Sequence, residues 1–305
     1  MSIELMDGLR KYHDTITRKN YGEIQQSEKN ILYHYTNIEA LNGILSSGSF
    51  MISKSNFLKD PSEISFVKDI IREIGIEFMD EAEINKMDFY NSLIKSMDEL
   101  EQLFPLYILS LTEEQDSLVL WSSYSNFEGY NIGIDINNLS YSKELYCLSG
   151  KVIYDKDAQK EMIKEIIYDL YTLYKKYEAL KGEEYFTHTE KKLLINIYTR
   201  AMFFKRYGFK DEREYRIVFT VEKDNFDYSN NELIGHKICN GCFIPYLKIP
   251  LKCLNGENRG KFPLKNITIG PKNNLDIAEQ GLKSFLYSQG FRDIEVYKSS
   301  IMLRY

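Results

Sequence analysis

Apolar residues crowd around His34 in Ile31-Leu32-Tyr33-His34-Tyr35, and this run predicts a short strand. Thr36-Asn37-Ile38-Glu39 then has the spacing of a helix capping box. Ile38, Leu41, Ile44 and Leu45 follow at helical intervals and Gly48 supplies a stop. Phe50-Met51-Ile52-Ser53 reads as the next strand, completing a strand–helix–strand unit. Asp60-Pro61-Ser62-Glu63 starts another helix, with Asp60 as N-cap and Pro61 at the first helical position. Helical, charge-rich sequence runs on to about Glu101.

The continuous apolar run from Pro105 to Leu111 predicts a buried strand, Ser117 to Tyr124 a short helix, and Tyr130 to Ile136 a strand. Two long helical stretches, about 157–181 and 186–205, fill the middle of the chain. Glu214 to Val221 alternates over its first half and is β-branched, which predicts a strand. Residues 223–240 are polar and read as a loop. The end reads as strand (Phe243 to Ile249), strand (Ile267 to Gly270), helix (about 274–289) and strand (Asp293 to Tyr297). No repeat and no Pro/Gly/Ser linker divides the chain. These elements predict an α+β fold: a polar helical lead-in over 1–30, then one domain over 31–305. That domain carries a mixed, largely antiparallel sheet, with helical segments at 61–104 and 157–205.

Composition narrows the function classes. A net charge of −6 argues against a broad nucleic-acid footprint, although 39 Lys and Arg leave room for a local basic groove. No stretch of eighteen apolar residues exists to cross a bilayer, and the N-terminus lacks the apolar centre of a signal peptide, so the expected address is the cytoplasm. Four cysteines in a chain this long do not read as a disulfide framework. Tyrosine is abundant, 24 copies against a single Trp, which suits either ordinary packing or a pocket for a ring-bearing ligand.

Four patterns carry candidate chemistry. His34-Tyr35-Thr36 stands where a strand turns into a helix. A His there either meets a ligand hydroxyl or bonds a backbone carbonyl, and the helix amides favour an anion. Lys205 to Arg216 (KRYGFKDEREYR) packs charges of both signs. Glu212, Glu214 and Arg216 share one strand face if the strand begins that early, either as a solvated ladder or as a site for a ribose and a developing cation. Trp121 and Tyr124 are three apart on a helix and either cover a ligand ring or pack in the core. His236, Cys239, Cys242 and Cys253 have a knuckle compatible with zinc, although the apolar run after Cys242 also reads as a core strand. The chain has no P-loop, G-x-G-x-x-G, G-x-S-x-G or H-E-x-x-H.

These residues occur in an order that resembles a large bacterial domain family of unknown function. The likeness begins with Leu32-Tyr33-His34-Tyr35-Thr36 and Asp60-Pro61-Ser62-Glu63. It continues through Ser110-Leu111-Thr112, Leu120-Trp121-Ser122-Ser123-Tyr124 and Gly129 to Asp135. It reaches Lys205 and Glu212-Arg213-Glu214-Tyr215-Arg216-Ile217-Val218. Lys59 and Leu111 depart from the family pattern, which there has Asn and Phe.

More remotely, the opening is similar to the first strand and helix of ADP-ribosyltransferases. That resemblance implies an ADP-ribosyltransferase-like fold and NAD as substrate without a metal. Its partners would be a nucleotide ligand and a protein or nucleic-acid acceptor, with no membrane. It implies that His34, with Thr36, contacts the ribose, that Tyr124 or Tyr130 stacks on nicotinamide, and that Glu214 or Glu212 is catalytic, with Tyr35 and Trp121 as further ligand-binding candidates. Lys205 and Arg216 complete the expected ligand contacts. The implied activity is that of a toxin or anti-phage effector. A nucleotide- or phage-protein-sensing module is one alternative, and a metal-dependent nuclease built on His34, Glu212, Glu214 and Lys205 is another.

Overall fold

Asn37, rather than Thr36, caps the first helix. Thr36 remains the last residue of β1 (Ile31–Thr36), and the Asn37 side chain accepts the Ala40 N–H at 2.8 Å to open α1 (Ile38–Ser47). Gly48 ends α1 in the left-handed region at φ 61, a conformation that suits glycine. The chain then turns into β2 (Ser49–Ser53). These elements belong to a computed structural model that describes residues 24–57, 65–78, 89, 91, 93–99, 105–140, 145–178, 193–220, 232–239, 241–255, 259–273 and 275–303. The helix start at Asp60-Pro61 and most of the 1–30 lead-in lie outside the described residues.

Onward from there run α2 (Ser65–Phe78), β3 (Leu106–Thr112), α3 (Leu118–Ser125), β4 (Tyr130–Asp135), β5 (Leu139–Ser140) and β6 (Tyr146–Lys151). Next come α4 (Lys156–Glu178), a helix over 193–201, and β7 (Glu214–Thr220). The chain closes with β8 (Ile234–Cys239), β9 (Cys242–Pro250), β10 (Lys252–Cys253), β11 (Leu264–Ile269), α5 (Asp276–Ser288) and β12 (Glu295–Lys298). Besides the two-residue β5 and β10, two longer strands differ from the expected pattern. β6 falls where no strand is predicted, and β8 occupies part of the stretch that reads as polar loop. β8 is an edge strand, so its outer side needs no apolar residues.

The fold is α+β with a mixed, largely antiparallel sheet. Its seven strands run in the order β12-β11-β4-β1-β3-β7-β6, and only β11–β12 is parallel. A second sheet has the order β2-β9-β8, and β10 pairs with β5. The chain divides into two compact units. The expected helical segments fall together in the unit that includes Asp60–Phe104 and Ile153–Tyr207. Within it α2 buries Val67, Ile70, Ile71 and Ile74, and α4 buries Ile163, Ile166, Ile167 and Leu170. Those helical spacings put one apolar stripe on each helix, and the two helices pack together.

Gln26–Lys59, Pro105–Val152 and Gly208–Tyr305 form the sheet unit. Alternation along its strands sorts the side chains by face. Leu32, Leu109, Leu111, Ile132, Tyr215, Ile217 and Ile267 join Phe50, Ile52, Leu247 and Ile249 of the second sheet, with Leu41 and Leu282 of the flanking helices, in the main core. The opposite face carries a smaller cluster of Tyr33, Tyr35, Leu120 and Trp121, which seats α3 on β1. Among the described residues, no helix is long and apolar enough to cross a membrane.

The return from α3 to β4 is closely built. Asn126 and Phe127 take positive φ values of 49 and 66. A β-carbon on Gly129 would collide with the Thr36 carbonyl oxygen and with Ser125 Cβ, neither of which is a flexible side-chain end. Gly129→Ala is therefore expected to lower stability by about 1–3 kcal/mol. Urea denaturation measures this, and wild-type stability would contradict the close approach.

Candidate functional site

β3 cannot keep one neighbour along its whole length. At one end Thr112 pairs with Tyr33 of β1. At the other, Tyr107 forms a bridge with Lys54, just past β2. The strands therefore part beyond Tyr33, and a small pocket, with a cavity volume of about 60 Å3, opens in the parting. Tyr33, His34 and Tyr35 line it from β1, Ser110, Leu111 and Thr112 from β3, and Leu120 and Tyr124 from α3. Glu212 and Glu214 close the remaining side.

The two glutamates arrive there by different routes. β7 begins only at Glu214, so strand alternation does not extend to Glu212 as the sequence pattern suggested. Glu212 instead ends a 3₁₀ turn (Tyr207–Glu212), and Arg213, at φ 43, swings the chain into the strand. Both carboxylates still reach one pocket. The Tyr124 hydroxyl donates to Glu212 Oε1 at 3.2 Å, and Thr112 Oγ1 donates to the Glu212 carbonyl at 2.8 Å.

Glu214 and Arg216 do share a strand face, and they form a buried ion pair. Arg216 Nε donates to Glu214 Oε1 at 2.8 Å and its terminal nitrogen to Oε2 at 3.1 Å, with the residues 1% and 5% exposed. The Ser110 hydroxyl, opposite Arg216 in the ladder, donates to Glu214 Oε1 at 2.6 Å. A forked guanidinium fixes a carboxylate in position as well as in charge. At 1% exposure Arg216 is a support for Glu214 and not a contact for a ligand phosphate.

Of the two fates its position allows, the ring of His34 takes the bond to a backbone carbonyl. Alternation sends Tyr33 and Tyr35 to the face of Ser110 and Glu214, and His34 to the other. There its ring meets Phe50 edge-on, with centroids 5.2 Å apart. Nδ1 lies 3.0 Å from the Ser110 carbonyl, which can only accept, so Nδ1 carries the proton. His34 thus satisfies a carbonyl left without a strand partner where β1 and β3 part, and it reaches the pocket through the gap between them. Burial lowers its pKa against the opposing effect of the Ser110 bond, and Lys237 lowers it further.

The other expected ligand contacts separate. Tyr35 lines the pocket, but its hydroxyl donates to the Glu114 carbonyl at 2.9 Å and accepts from the Ser117 N–H. Burial pushes that hydroxyl's pKa well above the ordinary tyrosine value. Trp121 is fully buried, stacked edge-on against Tyr35 at 4.6 Å, and so offers no face to a ligand ring. Tyr124, 37% exposed, is the aromatic residue of that helix that the pocket uses. Thr36 is buried in register with Tyr130. Tyr130 lines a separate apolar groove between α1 and α5 and accepts a bond from Asn273. Lys205 is a buried residue of the helical unit, with its backbone bonded to Ile153 and Gln159, and is not among the pocket residues.

The residues of the zinc-compatible knuckle are spread over two strand pairings. Cys239 and Cys242 are register partners across a hairpin tip, where Cys242 is exposed, while Cys253 is buried in β10 against β5. Among the described residues, no three His, Cys, Asp or Glu side chains group as a metal site requires.

Sequence reasoning passed over the loop from Glu113 to Ser117, which binds the site to its surroundings. Glu113 accepts from Ser27 and pairs with Lys151; Glu114 pairs with Arg213 at 2.6 Å. Gln115 meets Tyr33 and Thr268. Asp116 accepts from Trp121 Nε1, the Ser299 hydroxyl, and the Ser300 N–H and hydroxyl. Partial burial alone would raise the Asp116 pKa, but those donors hold it below the ordinary carboxylate value. Polar residues at such spacing give no sequence signal, because each partner comes from a different element.

A family profile described as "Protein of unknown function (DUF2971)" matches residues 120–217, about a third of the chain. It runs from α3 into β7 and so covers Tyr124, Glu212, Glu214 and Arg216, whereas the β1 and β3 walls lie outside it. Searches of curated proteins and of solved structures gave no match.

Two consequences of this geometry can be measured. Arg216→Ala leaves a buried carboxylate uncompensated and is expected to cost about 3–5 kcal/mol in a urea melt; a loss under about 1 kcal/mol would mean the pair is solvated. For His34, the folded pKa lies below the unfolded value near 6.5, so the unfolded chain takes up the proton first. Its contribution is present in full above that pH and is lost as the pH falls from 6.5 through the folded pKa. His34→Gln should flatten this limb of the stability–pH curve, and an unchanged limb would assign it to other groups.

Proposed function

We propose that the pocket between β1 and β3 acts on the N-glycosidic bond of NAD, as an ADP-ribosyltransferase or NAD glycohydrolase. The observation that carries this reading is the pairing of two carboxylates, Glu212 and Glu214, in one small pocket walled by Tyr33, Tyr35 and Tyr124. The nicotinamide ring of NAD is cationic, and tyrosine faces attract a desolvated cation. Two carboxylates against the single buried guanidinium of Arg216 leave the site negative, which favours the same ligand.

In the reaction, the bond between the ribose carbon and the ring nitrogen breaks with its electron pair going to nitrogen. Nicotinamide then leaves as a neutral molecule, and the ribosyl centre passes through an oxocarbenium-like state. Glu214, fixed by Arg216 and Ser110, stabilises that developing charge without having to reorganise. Glu212, held by Tyr124, takes the proton from the attacking water or acceptor hydroxyl. His34 acts indirectly, by holding the strands in their parted geometry. NAD consumption of this kind would suit a toxin or an anti-phage effector, which depletion of cellular NAD on expression would reveal.

Incubation of the full chain with NAD is expected to release nicotinamide, with or without label transfer to protein, DNA or RNA. Glu214→Gln should lower turnover by at least about 100-fold while leaving NAD binding in place. Full activity in that variant would sink the assignment of Glu214. Thermal stabilisation by NAD without any nicotinamide release would instead mark a nucleotide-binding module.

A further inference from the structure

We propose that Arg213 recognises the phosphates of the ligand, exchanging its ion pair with Glu114 for the pyrophosphate that leaves the pocket mouth. The inference rests on the reading of the pocket as a nucleotide site. Arg213 stands between the two pocket glutamates, yet its φ of 43 is a conformation that glycine adopts freely and arginine does not. A strained residue kept at such a junction points to a use for its side chain.

The placement supports that use. The Arg213 side chain is 66% exposed and bonds Glu114 Oε1 at 2.6 Å. Glu114 is itself tied to the pocket wall: its N–H donates to Thr112 Oγ1 at 3.2 Å, and its carbonyl accepts from the Tyr35 hydroxyl. The ion pair therefore sits at the rim, flanked on both sides by lining residues. At about 60 Å3 the enclosed part of the pocket lies below the range for sites that swallow a whole ligand. A dinucleotide could therefore enter only by one end, with its pyrophosphate outside the mouth.

Glu212 and Glu214 make the wall acidic, and the Lys151 charge near the loop is already paired with Glu113. An anionic ligand needs a cation there, and Arg216 is buried. A guanidinium can fork onto phosphate oxygens, whereas it bonds Glu114 through a single nitrogen. An exposed pair such as Arg213–Glu114 is weak and yields readily.

Calorimetric titration of the full chain with NAD, and separately with nicotinamide riboside, which has no phosphate, tests the assignment. Arg213→Gly relieves the backbone strain, so it should melt no lower than wild type while binding NAD at least about tenfold more weakly. Its affinity for nicotinamide riboside should not change. Arg213→Lys should retain part of the NAD affinity, and Glu114→Gln should tighten NAD binding by releasing the guanidinium. Wild-type NAD affinity in Arg213→Gly would overturn the inference and leave the pocket reading standing. An equal loss for both ligands would also overturn it, because Arg213 would then act through pocket shape. Binding of neither ligand to wild type would overturn the pocket reading and this inference together.

Discussion

The site depends on one constraint: the edge of β3 that faces β1 is shared between two partners. Thr112 spends it on Tyr33, and Tyr107 on Lys54. Among the described residues no strand lies along that edge between them, and a sheet cannot leave buried backbone groups unpaired without loss. His34 supplies the missing partner for the Ser110 carbonyl, and the space that remains is the pocket. Packing in the main core holds both halves of the divided edge, since Phe50 and Ile52 of β2 join Leu109 and Leu111 of β3 there. The opening is thus a consequence of how two sheets share a strand.

Charge is then placed against that opening. Ser110 serves both sides of the strand, with its carbonyl on His34 and its hydroxyl on Glu214. Arg216 neutralises Glu214 where water is scarce, and the ladder pairs Arg216 with Ser110, so a single rung carries the arrangement. The loop from Glu113 to Ser117 extends the hold outward: its side chains and backbone reach β1, β6, the start of β7, α3 and the chain's C-terminal stretch at Ser299 and Ser300. Many separate partners make a loop rigid without any apolar core of its own, and a rigid rim suits a preorganised site.

Much of this was legible in the sequence where one element decides the outcome. The apolar spacing of Leu41, Ile44 and Leu45 with Gly48 gives α1, and the alternation of Glu214 with Arg216 puts their side chains on one face. It was less legible where the outcome depends on a second element. Alternation along β1 assigns His34 to a face but does not say which face holds Glu214, because the register with β3 is a tertiary fact. Trp121 and Tyr124 share helical spacing, yet contact with Tyr35 buries the first and leaves the second at the pocket. Arg213 looks like an ordinary strand residue in sequence, since a positive φ at arginine leaves no mark there.

The central claim is that the parting of β1 and β3 holds the nicotinamide end of NAD. A crystal structure with a non-hydrolysable NAD analogue tests it most directly. The account predicts the nicotinamide ring among Tyr33, Tyr35 and Tyr124, with its ribose against Glu214. Two other openings offer the contrary result: the apolar groove lined by Ile38, Tyr130 and Ile277, and the wide cleft lined by Lys261, Lys265 and Arg292. An analogue found in either of these, with the strand parting empty, would contradict the account.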